Sequence, residues 1–102
     1  MSHPALETPE DVRRKLADRL RALRLARGWK QATLAQRSGV SLGSLRRFED
    51  TGEVSLKNLL ALAFALSRLD DFSAALEPPP ARSIAELEAL DLRPRQRKRG
   101  RL

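Results

Sequence analysis

The chain of 102 residues has no cysteine, no tyrosine, one tryptophan and one histidine, His3. Without cysteine there can be no disulfide and no thiolate metal site. The five glycines, Gly28, Gly39, Gly43, Gly52 and Gly100, are scattered singly, so a glycine-rich phosphate loop is absent. His3 reads as an incidental surface residue, and the carboxylates fall at helix starts or beside arginines. No catalytic constellation emerges, and the expectation is a protein that is not an enzyme and needs no metal or cofactor. No apolar run approaches the roughly 20 residues that cross a bilayer. The opening MSHPALETPED lacks the basic start and apolar core of a signal peptide. A cytoplasmic protein without membrane contact is expected.

What the chain has in excess is positive charge, with 20 Lys plus Arg against 13 Asp plus Glu for a net +7. Only Lys15, Lys30, Lys57 and Lys98 are lysines. The planar fork of arginine suits phosphates and base edges, so the balance favours a polyanionic partner. The charge is unevenly placed. Residues 1–76 hold 13 basic and 9 acidic residues, 77–92 hold 1 and 4, and 93–102 hold 6 and 0.

Residues 1–8 carry no periodic signal and read as a disordered N-terminus. Thr8-Pro9-Glu10-Asp11 then starts a helix, with Thr8 as N-cap, proline at the first helical position and acids in the first turn. Val12, Leu16, Leu20 and Leu23 recur at helical spacing and carry it to about Ala26. Gly28 ends it, and Trp29 is expected to plug the core. A second helix runs from Lys30 or Gln31 to Ser38, and Lys30 is a poor cap because its ammonium cannot accept a hydrogen bond. A third runs from Leu42 to about Asp50. Ser55 caps a fourth, from Leu56 to about Ser67, whose Leu56, Leu59, Leu60, Ala63, Phe64 and Leu66 make it the most apolar. It reads as the central core element, with surface to spare for a dimer. Asp70-Asp71 opens a last short helix through Phe72, Ala75 and Leu76.

The segment 77–92 is a spacer and short helix. Pro78-Pro79-Pro80 is stiff and extended, and Ser83-Ile84-Ala85-Glu86 matches a capping box ahead of Leu87 and Leu90. That helix is too short to stand alone. It would dock on its own domain, on a second subunit or on another protein. The tail 93–102 carries Arg93, Arg95, Arg97, Lys98, Arg99 and Arg101. Two readings stand for it, a solubilising extension or phosphate attraction, and the second is preferred.

The core of the reading is Lys30 to Glu49, KQATLAQRSGVSLGSLRRFE. Leu34 and Ala35 give one apolar face, and Leu45 and Phe48 give another. Between them Gly39 suits a positive φ, Val40 plugs the angle and Ser41 caps the next helix. This is the layout of a helix-turn-helix, whose second helix enters the DNA major groove. Gly43 inside that helix costs roughly 1 kcal/mol against alanine. It marks either a close approach of a partner or an ordinary surface position.

The string LRALRLARGWKQATLAQRSGVSLGSLRRFE resembles the Cro/repressor-type (Xre) helix-turn-helix family. The likeness lies in Arg24, Gly28-Trp29, Gln31, Leu34-Ala35, Gly39-Val40-Ser41 and Phe48-Glu49, within residues 12–76. It implies an all-α, compact five-helix lambda-repressor-like domain over residues 9–76 with a C-terminal extension. It also implies a homodimer on a palindromic double-stranded DNA operator. By position, Gln31 looks like a phosphate-positioning glutamine, and Arg24 with Glu49 like a structural ion pair. Leu42, Gly43, Ser44, Arg46 and Arg47 occupy the outward positions of the recognition helix. Arg47 is the preferred reader of guanine, Leu42 would touch a thymine methyl, and Ser44 and Arg46 would serve base or backbone. Ser41, Lys30 and Lys57 complete the DNA-binding set. Lys30 departs from the usual polar cap, and Asp50-Thr51-Gly52-Glu53 is acidic where relatives often carry cations.

More narrowly, RRFEDTGEVSLKNLLALAFALSRLDDF with the SIAELEAL segment and the arginine-rich end is similar to antitoxin-type regulators encoded beside Hip-type kinase toxins. That likeness implies a repressor of its own operon that also binds a kinase-type toxin. Two rivals remain: a protein-binding module acting mainly through residues 77–102, and a phage-type repressor with no toxin partner.

Overall fold

Thr8 opens the first helix with a reciprocal cap. Its hydroxyl accepts from the Asp11 N–H at 3.1 Å, and the Asp11 carboxylate accepts from the Thr8 N–H at 3.1 Å. The Thr8 backbone N–H first, and the Thr8 hydroxyl after it, hold the Asp11 carboxyl below its ordinary pKa. The computed structural model describes residues 6–80 and Glu88. The readings made for residues 1–5, for the capping box and leucine stripe of 83–90 and for the basic tail therefore lie outside the described residues. Glu7, in the stretch read as disordered, accepts an ion pair from Lys15.

Among the described residues there are five helices and no strand: α1 (Pro9–Ala26), α2 (Gln31–Ser38), α3 (Leu42–Thr51), α4 (Leu56–Ala65) and α5 (Asp70–Ser73). α1 packs on α3, while α2 packs on both α3 and α4. The side chains of Leu34, Leu45, Phe48, Leu62 and Leu66 are fully buried, ringed by Ala17, Leu20, Ala35 and Val40. On α1 the buried positions are Ala17, Leu20 and Arg24, one helical face. Val12, expected on that face, is exposed at the helix start.

Two turns set the helix angles. Gly39 ends α2 at φ 78°, and its N–H donates to the Ala35 carbonyl. Val40 is buried behind it, and Ser41 caps α3 through the Ser44 N–H. Gly52 ends α3 at φ 81° and is pressed against α1. A Cβ there would lie 3.0 Å from the Arg13 Cβ and 3.1 Å from its carbonyl carbon and oxygen. Arg14 strengthens the same junction by donating to the Asp50 carbonyl at 3.0 Å.

The second half of the domain is shorter than the sequence pattern implies. α4 ends at Ala65, before the expected Ser67, which takes a positive φ of 61°. Arg27 Nη2, from just past the end of α1, donates to the Leu66 carbonyl at 2.9 Å and supplies the bond a further turn would have made. α5 is a single turn that ends at Ser73, and Leu76, expected within that helix, lies past it, fully exposed at φ 64°. The run Pro78-Pro79-Pro80 bars any helical continuation. On α4, Leu62 is the buried centre, whereas Leu56 and Phe64 are 67% and 70% exposed.

Gly52→Ala should destabilise the domain by about 2 kcal/mol, through the positive φ and the Arg13 backbone contact together. Urea unfolding should show a loss clearly larger than for Gly39→Ala, whose added methyl meets nothing within 4 Å.

Candidate nucleic-acid interface

α3 is fixed by a buried polar joint. Arg24 grips Glu49 with two bonds, Nε to Oε2 and Nη2 to Oε1, each 2.8 Å. The side chains are 7% and 2% exposed, so this pair is held out of water. Two further bonds extend the joint. Arg24 Nη1 donates to the Trp29 carbonyl at 2.9 Å, and Gln31 Nε2 donates to Glu49 Oε1 at 3.0 Å. One guanidinium thus ties α1 to α3 and to the segment that leads into α2, with each of its three nitrogens bonded.

Gln31 reaches further. Its Oε1 accepts from Arg46 Nε at 3.4 Å, which brings two residues of the DNA-binding set together at the α2–α3 edge. The carboxamide is half-buried and already bonded on both ends. Ser41 and Ser44 are likewise joined, hydroxyl to hydroxyl at 2.9 Å, besides the cap bond. Ser44 is half-buried, and Leu42, read as an outward contact, packs half-buried against the core. Lys30, Gly43, Arg46, Arg47 and Lys57 are exposed. Lys30 makes no capping bond from its side chain, so the first-turn N–H groups of α2 stay free of one. A Cβ on Gly43 would meet nothing within 4 Å. The glycine therefore answers to no internal contact.

Arg47 has a partner that the sequence did not announce. Its Nε donates to Glu53 Oε1 at 3.1 Å, and Nη2 bonds the same oxygen. By hydrogen bond and then by charge, Arg47 holds the Glu53 carboxyl below its ordinary pKa. The pair sits at a cleft of about 290 Å³ lined by Ser44, Arg47, Glu53, Val54, Ser55 and Asn58. Glu53 follows Arg47 by six residues across the αL turn at Gly52, a spacing that no helical rule pairs.

Trp29 is half-buried and packs against the core edge instead of plugging it. The guanidiniums of Arg27 and Arg37 lie 5.1 and 4.6 Å from its ring centroid, a double cation–π contact. Among the described residues no group of three or more His, Cys, Asp or Glu is placed to hold a metal. No described helix is long and apolar enough to cross a membrane.

A short second helix, an αL glycine, a capped third helix with arginines on its outer face and a buried ion pair behind it define a helix-turn-helix. The family model described as a helix-turn-helix domain matches residues 15–72, more than half of the chain. The chain belongs to that family, the fold of DNA-binding regulators. Neither curated proteins nor solved structures give a match.

Glu49→Ala should cost about 3–5 kcal/mol in urea unfolding, because Arg24 is left charged and buried without its partner. Replacing both, as Arg24→Met with Glu49→Leu, should recover most of that loss. The depressed Glu53 value has a definite sign: its ion pair stabilises fully above the ordinary glutamate pKa and is lost as pH falls through the folded value. Carboxyl titration by NMR should place Glu53 below an ordinary glutamate, and Arg47→Ala should return it there.

Proposed function

We propose that the protein is a sequence-specific transcriptional repressor that binds a palindromic operator as a homodimer. The observation that carries this reading is α3, locked from behind by the Arg24–Glu49 pair while Gly43, Arg46 and Arg47 face solvent. In this role Arg47 reads guanine through O6 and N7, Ser44 and Arg46 contact base or backbone, and Gly43 admits the duplex closely. Lys30, Gln31 and Lys57 face phosphates, and the residues 93–102 add sequence-independent attraction. The protein works by binding alone, in the cytoplasm, with neither catalysis nor cofactor.

The dimer is supported by apolar surface the single domain does not use. Leu56, Leu60 and Phe64 follow one another at four-residue spacing on α4, and the outer two are largely exposed. Two such copies would set their recognition helices about one DNA turn, ~34 Å, apart. The finer part of the proposal is that the repressor is an antitoxin-like autoregulator that also holds a Hip-type kinase. Its support is the likeness of residues 46–72 and of the segments that follow. Co-purification with the product of the neighbouring gene tests that part, and its failure would leave the repressor reading standing.

Footprinting on the promoter of its own gene should show a symmetric protected site. Arg47→Ala should lose about tenfold discrimination at one guanine per half-site, within the 1–3 kcal/mol expected of a bidentate base contact, with no more than the small stability loss of an exposed ion pair. Identical base preference in that variant would end the base-reading role.

A further inference from the structure

An arginine carries five N–H donors in a planar fork. In Arg47, Glu53 occupies the edge formed by Nε and one hydrogen of Nη2. The opposite end of the fork, both hydrogens of Nη1 and the second of Nη2, is left over. Despite the ion pair, the Arg47 side chain is 67% exposed, so that end faces water.

From this arrangement we infer that Glu53 is a positioning residue for DNA recognition: it presents the Nη1–Nη2 end of Arg47 to a base edge and weakens the grip of Arg47 on phosphate. The inference rests on the proposed base-reading role of Arg47. Guanine O6 and N7 are neutral acceptors that fit the free end of the fork while Glu53 stays in place. A phosphate brings a full negative charge toward Glu53 and must compete with it. The penalty thus falls on sequence-independent binding, which raises discrimination by opposing the wrong mode.

Exposed ion pairs usually contribute little, because two long side chains must be ordered for a well-solvated contact. Here the backbone beneath the acid is already fixed. Gly52 is held at φ 81° against the Arg13 backbone. The Glu53 N–H donates to Thr51 Oγ1 at 3.0 Å, and that hydroxyl donates to the Arg47 carbonyl at 2.7 Å. Glu53 is therefore tied to the residue it serves twice, through its carboxylate and through its own backbone. Its low carboxyl pKa keeps it charged through the neutral range.

The test compares full-length wild type, Glu53→Gln, Glu53→Ala and Arg47→Ala on a mixed-sequence duplex across a salt series, and in selection from a randomised duplex pool. Removing the charge frees Arg47 to displace one more counterion. Both Glu53 variants should bind the mixed-sequence duplex several-fold tighter at low salt, with the log–log salt slope steeper by about one. Glu53→Ala should also lose on the order of tenfold guanine preference at the Arg47 position, the span of one base contact. Glu53→Gln still offers an oxygen to Nε and should keep most of that preference. Wild-type salt slopes and wild-type base preference in both Glu53 variants would overturn the inference. Should Arg47→Ala keep the wild-type preference, the Arg47 reading itself falls. Should Arg47→Ala erase it while the Glu53 variants behave as wild type, only the role of Glu53 falls.

Discussion

The domain depends on one buried contact, the two-bond grip of Arg24 on Glu49. It is an expensive way to join helices, since both charges leave water and an apolar pair of similar size often does as well. What the charged pair supplies is direction. A bidentate guanidinium–carboxylate contact has one good geometry, whereas leucines slide over one another. Gln31 and the Trp29 carbonyl complete the joint, so α1, the start of α2 and α3 are fixed against each other by polar bonds. In a domain with so few large buried side chains, apolar packing alone would define that angle less sharply.

Around this joint the outer face of α3 is organised in pairs. Gln31 with Arg46, Ser41 with Ser44 and Arg47 with Glu53 leave Lys30, Lys57 and Gly43 as the parts without such a partner. Several side chains that contact DNA in the proposed role are thus bonded within the free protein. Binding then meets side chains that are already ordered, which lowers its entropic cost.

The legible parts of the fold were those written locally. Thr8-Pro9 with Asp11, Gly39-Val40-Ser41 and Ser55 are cap and turn signals complete within a few residues, and they placed the helix starts. The ends of α4 and α5 were harder, because they are decided at a distance. Arg27, 39 residues earlier, takes the Leu66 carbonyl, and apolar residues such as Leu76 continue the pattern past the point where the helix stops. The same holds at the site. The outward place of Arg46 and Arg47 is what the resemblance to repressor-type domains implies. The commitment of Gln31 to Glu49, the contact of Gly52 with Arg13 and the capture of Arg47 by Glu53 depend on how separate elements meet. Leu62, the centre of α4, was hidden among five neighbouring leucines and alanines of similar character.

Trp29 stands where α1 hands over to α2, its carbonyl bonded to Arg24 and its ring against Arg27 and Arg37. It is the one tryptophan in a chain without tyrosine. Emission excited in the indole band therefore originates at a single point beside the buried joint. A fluorescence trace would register the state of that corner and remain blind to fraying at α5, so the molecule carries its own local reporter on the contact that aims α3.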